Sequence, residues 1–391
     1  MSGMRVGLVV AGSLLLAAIV AVVHYQVTGY LVMSDFIDLS VYRAGAQALL
    51  AGQPLYEGKI AGGMFSFTYP PFAAILFAPL ALGPAQLWQA LVFLANLVLL
   101  YLAVRLCLRT AKPAQVLAAS AVLFWLEPVS WTVYLGQINL LLLVILLWDL
   151  GSDRPGRWRG IGVGIAAGIK LTPLIFVAYL LVTRQFRAAG IALATTAVTV
   201  LIGLAFAPAD TIGYWSGTFL RTDRVGEVAS AMNQSINGTL ARLLGVANPP
   251  TALWLAIAVP VAALGLLGAA LAHQRGERLL AITVCGLTGA AVSPISWSHH
   301  WIWFVPLAIL VHRRSKWLAA AFVLVLFAWP VHFLTGHRMD VPALGVIGLP
   351  PWHGLDLVYA NLYLLVLLLP LAQHVAAAAR APVHGAASGA R

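Results

Sequence analysis

Apolar runs broken by short basic clusters set the pattern of this chain. If a crossing needs roughly 17 to 25 apolar residues, or fewer where tilt and burial in a bundle shorten it, the pattern predicts about twelve spans. They fall near 6–28, 86–108, 113–127, 135–150, 160–171, 172–183, 188–207, 251–272, 279–293, 300–311, 318–334 and 357–374. Several are too short for ordinary lipid-facing helices. The pairs 160–171 with 172–183, and 279–293 with 300–311, read as broken helices or re-entrant hairpins. Such backbone survives at membrane depth only where protein or a water-filled cavity satisfies it. The fold class expected is all-α, a polytopic membrane helical bundle. The run after MSGMR reads as an uncleaved first helix, because many later spans follow it.

Composition agrees with that pattern: 61% hydrophobic and 9% charged residues cannot form one soluble core with a wet surface. The net charge of +11 does not point to nucleic acid, because no basic domain or aromatic-interleaved basic face gathers it. It is topological instead. Arg105, Arg109 and Lys112, then Arg154, Arg157 and Arg159, then Arg184 and Arg187, then Arg275 and Arg278, then Arg313, Arg314 and Lys316 occupy short loops assigned to one side. Positive residues in short loops stay cytoplasmic, which puts both termini there and makes 381–391 a cytoplasmic tail of a single integral domain, 1–380. Only Asp149, Asp153 and Glu277 lie among these clusters; the other acids fall outside, as do the long connections 29–85, 208–250 and 335–356. Long, chemically mixed loops are where sites sit, so the site is expected on the extracytoplasmic face of the plasma membrane. Cys107 and Cys285 belong to no CxxC or Cys/His array and read as small buried hydrophobes.

The outer segments carry the candidate chemistry. In DFIDLSVYRAG, Asp35 precedes, and Asp38 stands in the first turn of, a short amphipathic helix over 38–51, lying along the membrane surface and ending near Gly52. An acid in a helix's first turn caps it or complements its dipole; an acid at membrane level beside a cavity also carries function. FTYPPF, with Tyr69, enters an apolar run too short to span, and its two prolines make it a rigid corner or re-entrant segment. YLGQIN turns a short hairpin, where Gln137 and Asn139 either bond a sugar or satisfy helix ends. Lys170 in GIKLTP is a cation in mid-apolar sequence, next to a helix-breaking proline. It either snorkels or meets a phosphate. SPISWSHHW sets His299 and His300 among Trp297, Trp301 and Trp303. An interfacial belt explains the tryptophans but not the histidines. Adjacent histidines point apart, so one is expected to face a cavity and a two-His metal site is not. The loop 208–250 adds Arg221, Arg224, Asn233, Asn237 and Arg242 as a polar mixture suited to sugar and phosphate. Walker A, GxSxG and HExxH motifs are absent.

In this order, DLSVYRAG, the following LY, FTYPPF, GQIN, GIKLTP and SPISWSHHW resemble glycosyltransferase family 87 over about residues 35–311. These are polyprenyl-phosphate-mannose-dependent α-mannosyltransferases of the multispanning GT-C class. The resemblance implies a GT-C bundle, a polyprenyl-phosphate-mannose donor and a mannosylated glycolipid acceptor of the phosphatidylinositol mannoside type, joined through an α-1,2 linkage. It implies no cofactor and no metal. It places the catalytic acid on Asp38 and an active-site histidine on His299 or His300, and leaves Asp35 as a neighbour of open role. Chemistry adds substrate-binding candidates: Gln137, Asn139 and Trp297 for sugar, Lys170, Arg221, Arg224, Arg242 and Arg338 for phosphate, and Tyr42 and Tyr69 with no ligand group assigned. A GT-C enzyme using another lipid-phosphate sugar such as arabinose, or a lipid-linked sugar flippase, remains an alternative.

Overall fold

A computed structural model describes residues 3–28, 36–58, 65–152, 156–221, 224–327 and 356–367. Asp35, Arg338, nearly all of the predicted loop 335–356 and the predicted tail 381–391 lie outside the described residues. The chain opens with α1 (Gly3–Thr28), α2 (Ile37–Leu50), α3 (Pro71–Phe77), α4 (Ala85–Cys107), α5 (Pro113–Leu123), α6 (Glu127–Leu135), α7 (Asn139–Leu150) and α8 (Ile161–Ile169). It continues through α9 (Ile175–Val182), α10 (Phe186–Phe206), α11 (Pro208–Trp215), α12 (Ile236–Leu244), α13 (Thr251–Gln274), α14 (Arg278–Val292), α15 (Phe304–Arg314), α16 (Lys316–Val325) and α17 (Asp356–Ala360). Among the described residues the extended pairings are two isolated bridges, Leu126 with Phe327 and Asn233 with Trp297. The structure is all-helical in that sense.

Three described helices, α4, α10 and α13, are long and apolar enough to cross a membrane. The pair α6 and α7 passes the same test as a unit but is bent by 117° at its junction. The other apolar stretches of the described region are mostly shorter: α5, α15 and α16 have 11, 11 and 10 residues. At about 1.5 Å per residue, such a helix covers about half of a ~30 Å hydrocarbon core. Their ends follow from local sequence. Pro113 opens α5 at a position that needs no N–H, and Ser315 both closes α15 and caps α16, its side chain accepting from the Leu318 N–H.

The bundle core runs from α2 to the 356–367 segment, with α13 packed along α14, α10 along α8 and α4 along α7. The helix predicted over 38–51 exists as α2. In α2, Leu39, Val41, Tyr42, Gly45, Ala46 and Ala48 are buried, and Gly52 follows in the left-handed region at φ 65°. Two of the sequence motifs meet there. A Cβ on Gly45 would lie 2.5 Å from the ring of Phe67, the first residue of FTYPPF, which is itself fully buried. Only a glycine lets α2 and that segment approach so closely. Gly45→Val is therefore expected to destabilise the fold by about 1–3 kcal/mol through overpacking. Thermal unfolding of detergent-purified protein would read this as a lowered midpoint; an unchanged midpoint would refute the contact.

Candidate active site

The site is assembled by four breaks in helical regularity, each bringing polar groups to one chamber of about 1410 Å³. The first is the start of α2. Its N-cap, Phe36, sits in the left-handed region (φ 50°) and gives no side-chain cap, and Asp38 lies in the first helical turn. Asp38 lines the chamber beside Gln137 and Lys170. Burial pushes its carboxyl up to about 6, against the opposing pull of the Lys170 charge and a hydrogen bond with Gln137.

Gln137 comes from the second break, the α6–α7 bend. Gly136 takes the left-handed conformation at φ 69°, and a Cβ there would approach Leu39 of α2 to 2.8 Å. The turn thus seats α2 directly on the hairpin. Gln137 is then fixed from below: Tyr42 Oη donates to its Oε1 at 2.7 Å, and its Nε2 donates to Tyr69 Oη at 3.3 Å. The two tyrosine hydroxyls lie 3.1 Å apart, and Tyr56 Oη donates to the Tyr69 carbonyl at 2.6 Å. A buried network with its members satisfied in this way rigidifies the groups it carries.

The third break separates α8 from α9. Lys170 ends α8 in an extended conformation, and a 3₁₀ turn, Thr172–Leu174, leads into α9. Its Nζ donates to Asn139 Oδ1 at 3.2 Å and lies 3.0 Å from His300 Nε2. An ammonium has only protons to give, so this histidine nitrogen accepts. The ammonium also stands 5.7 Å from the centre of the Tyr69 ring, within cation–π range.

The fourth break is the 3₁₀ turn Ser298–Trp301 between α14 and α15. Asn139 Nδ2 donates to the His299 carbonyl at 2.9 Å and so ties this turn to the α7 N-terminus. Both histidines line the chamber. The expectation that only one would face it fails, because the tight turn sets their rings 84° apart with centroids separated by 4.8 Å. They present different edges to the same space. His299 is 4% exposed and neither of its ring nitrogens has a hydrogen-bond partner.

The 208–250 segment closes one wall. Gln234 N–H donates to the Ser296 carbonyl at 2.8 Å, and Ser296 N–H to Asn233 Oδ1 at 2.9 Å. Trp297 and Asn237 line the chamber with Arg221 and Arg224. Arg224 Nη1 donates to the Tyr56 carbonyl at 2.5 Å, while its buried Nε and Nη2 have no partner. Arg242 has a different place: it bonds the carbonyls of Ser230 and Asn233 and the side chain of Asn361. Those bonds make it a brace between α12 and the 356–367 segment, apart from the chamber lining. Tyr42 and Asn139 also stand behind the wall, 1% and 5% exposed, where they hold Gln137, Lys170 and the histidine turn. Tyr56, quoted only as the Tyr of a Leu-Tyr pair, emerges as the residue that seats both Tyr69 and Arg224. Nothing in its local sequence separates it from an ordinary loop aromatic. Among the described residues no group of three His, Cys, Asp or Glu side chains is clustered.

A sequence model of glycosyltransferase family 87 matches residues 67–294, which begins with FTYPPF and stops just before the histidine turn. A polyprenol-phosphate-mannose-dependent alpha-(1-2)-phosphatidylinositol mannoside mannosyltransferase of Mycobacterium tuberculosis (strain H37Rv) is 35% identical, over 77% of this chain and 78% of its own length. One of the same description from Mycolicibacterium smegmatis is 36% identical over 79% and 78%. A relative described as acting on phosphatidylinositol pentamannoside, from Mycobacterium tuberculosis (strain CDC 1551), is 36% identical over 84% and 80%. No solved structure matches. With the chamber's Tyr69, Gln137, Lys170, Arg224 and Asn237 inside the matched region and relatives alike over most of their length, the chain is a glycosyltransferase and belongs to glycosyltransferase family 87.

Proposed function

We propose that this chain is an inverting α-mannosyltransferase that moves mannose from polyprenyl-phosphate-mannose onto a phosphatidylinositol mannoside, through an α-1,2 linkage, on the extracytoplasmic face of the plasma membrane. The donor and acceptor follow the descriptions of the relatives. The face follows the Lys/Arg bias, whose clusters stand at helix ends such as Arg278 and Arg313, away from Asp38. The observation that carries the reading is the meeting of one carboxylate, Asp38, with Lys170, Arg224 and His299 in a single chamber.

Each group has a task. The acceptor hydroxyl oxygen attacks the anomeric carbon, the bond from that carbon to the phosphate oxygen breaks, and polyprenyl phosphate leaves with the electron pair. Asp38 takes the hydroxyl proton. Phosphate is already a good leaving group, so no general acid is required. Lys170 and Arg224 face its charge, Arg221 standing at the exposed rim. His299, with two unused nitrogens, orients the acceptor, and Trp297 offers a face for a sugar ring. Gln137 and Tyr69 shape the floor, and the donor's lipid tail runs between helices. The site chemistry needs no metal. Asp35 and Arg338, outside the described residues, keep the role of candidates only.

Purified protein supplied with polyprenyl-phosphate-mannose and a phosphatidylinositol mannoside is expected to yield an acceptor one hexose heavier, sensitive to an α-1,2-mannosidase. Movement of the lipid-linked sugar across a liposome bilayer without transfer would overturn the enzyme reading. Transfer from a polyprenyl-phosphate arabinose in place of mannose would overturn the donor.

A further inference from the structure

A second cavity, of about 730 Å³, lies at the other end of the bundle from the chamber. The separation follows from α14: Arg278, Leu279 and Leu280 line the second cavity, whereas Gly289 and Val292 line the chamber. Along its 15 residues α14 extends about 21 Å. The two spaces therefore cannot be one site.

The second cavity has two chemistries. Its rim carries Arg109, Arg278, Arg313 and Arg314 against one acid, Glu277. Its floor is aliphatic, with Leu147 and Leu307 among the lining side chains, and its wall runs out onto α16, where Leu318 is 57% and Val325 49% exposed. Some of the rim's donors serve local backbone: Arg313 Nη2 donates to the Cys107 carbonyl at 2.8 Å and Arg109 Nε to that of Leu106 at 3.2 Å. Each such bond uses one N–H of a five-donor guanidinium, and the charge surplus stays. The volume is that of a small-ligand site.

We propose that this cavity binds an anionic phospholipid from the leaflet opposite the reaction chamber, its phosphate on the arginine rim and an acyl chain on the leucine floor. Charge complementarity selects the occupant: basic pockets between helices at the cytoplasmic membrane surface take acidic headgroups. A wholly apolar ligand leaves the rim's net positive charge unmatched, and a free anion leaves the aliphatic floor unused. The exposed α16 wall gives a second chain a way into the bilayer. The assignment of leaflet rests on the topology proposed above; the binding site itself does not.

The test is native mass spectrometry of the full chain in detergent, with phosphatidylglycerol or phosphatidylcholine of matched chains at equal concentration. One phosphatidylglycerol per protein is expected to be retained in strong preference to phosphatidylcholine. The double variant Arg109→Gln, Arg314→Gln should lower that retention by roughly 10- to 30-fold while leaving glycosyl transfer intact. Ala321→Trp, which fills the exposed wall without altering charge, should also lower retention and so covers the case in which the double variant fails to fold. Equal retention of the two lipids overturns the proposal, as does displacement of the lipid by an equal concentration of inorganic phosphate or a co-purifying polypeptide in its place. Loss of transfer with phosphatidylglycerol still retained would fault the proposed function and leave this site standing.

Discussion

Asp38→Asn is expected to reduce kcat by about 10²- to 10⁴-fold, the usual worth of a positioned general base, while donor KM stays near its original value. The substitution is nearly isosteric and lies at the chamber wall in the first turn of α2, so folding should survive it. It removes the proton acceptor and little else. The pH dependence supplies an independent check. A base must be deprotonated to act, and burial holds this carboxyl at about 6, above its ordinary value. Activity should therefore be full well above pH 6 and fall as pH drops through that value. In the Asn variant the residual rate should lack that limb. A variant that turns over normally, or keeps the same acid limb, removes Asp38 as the base.

Lys170→Met is expected to cost about 10²- to 10³-fold in kcat, comparable to losing one preorganised donor to a developing anion. The thioether keeps the length of the side chain but cannot donate to Asn139 or His300. It also strips Asp38 of a charge that pulls its acidity down toward the ordinary range. The acid limb of the pH profile should then move to higher pH, a displacement that a merely structural role for Lys170 does not predict. Lys170→Arg should restore part of the rate, since it returns the charge with a different reach. Full activity of the Met variant, with an unmoved acid limb, would show that the ammonium only snorkels.

The candidate site was legible in the sequence to the extent that its residues stand out against a greasy background. Asp38, Lys170 and the histidine pair are costly in apolar surroundings, and the same four residues line the chamber. Support was harder to tell from contact. Tyr42 and Gln137 look alike as polar members of motifs, yet Tyr42 is sealed beneath the wall and only Gln137 lines the space. Arg242 and Arg224 sit in one loop with the same chemistry. One is consumed by Asn361 and two carbonyls, and the other keeps unpartnered nitrogens. These distinctions depend on partners 95 or 119 residues away in the chain, as for Tyr42–Gln137 and Arg242–Asn361, and no local pattern encodes such distances.

Hydrophobic periodicity, proline and glycine positions and the clustering of Lys and Arg act locally, which is why an all-helical membrane chain, the breaks at Lys170 and at the histidine turn, and a helix bearing Asp38 could be read from the chain alone. The number of full crossings was not legible in that way: among the described residues three helices, or four with the bent α6–α7 pair, are long and apolar enough to cross, against about twelve expected. Of the short helices α15 is buried along Phe304 to Ile309, where neighbouring helices shield what lipid would otherwise have to cover, whereas α5 and α16 leave Leu117, Val122, Leu318 and Leu324 exposed. That four separate breaks converge on one chamber follows from long-range packing alone. Gly45 against Phe67 and Gly136 against Leu39 draw α2 onto the hairpin, and Asn139 ties the hairpin to the histidine turn. The chamber exists because those close packings bring Asp38 beside Lys170, which lies more than a hundred residues further along the chain.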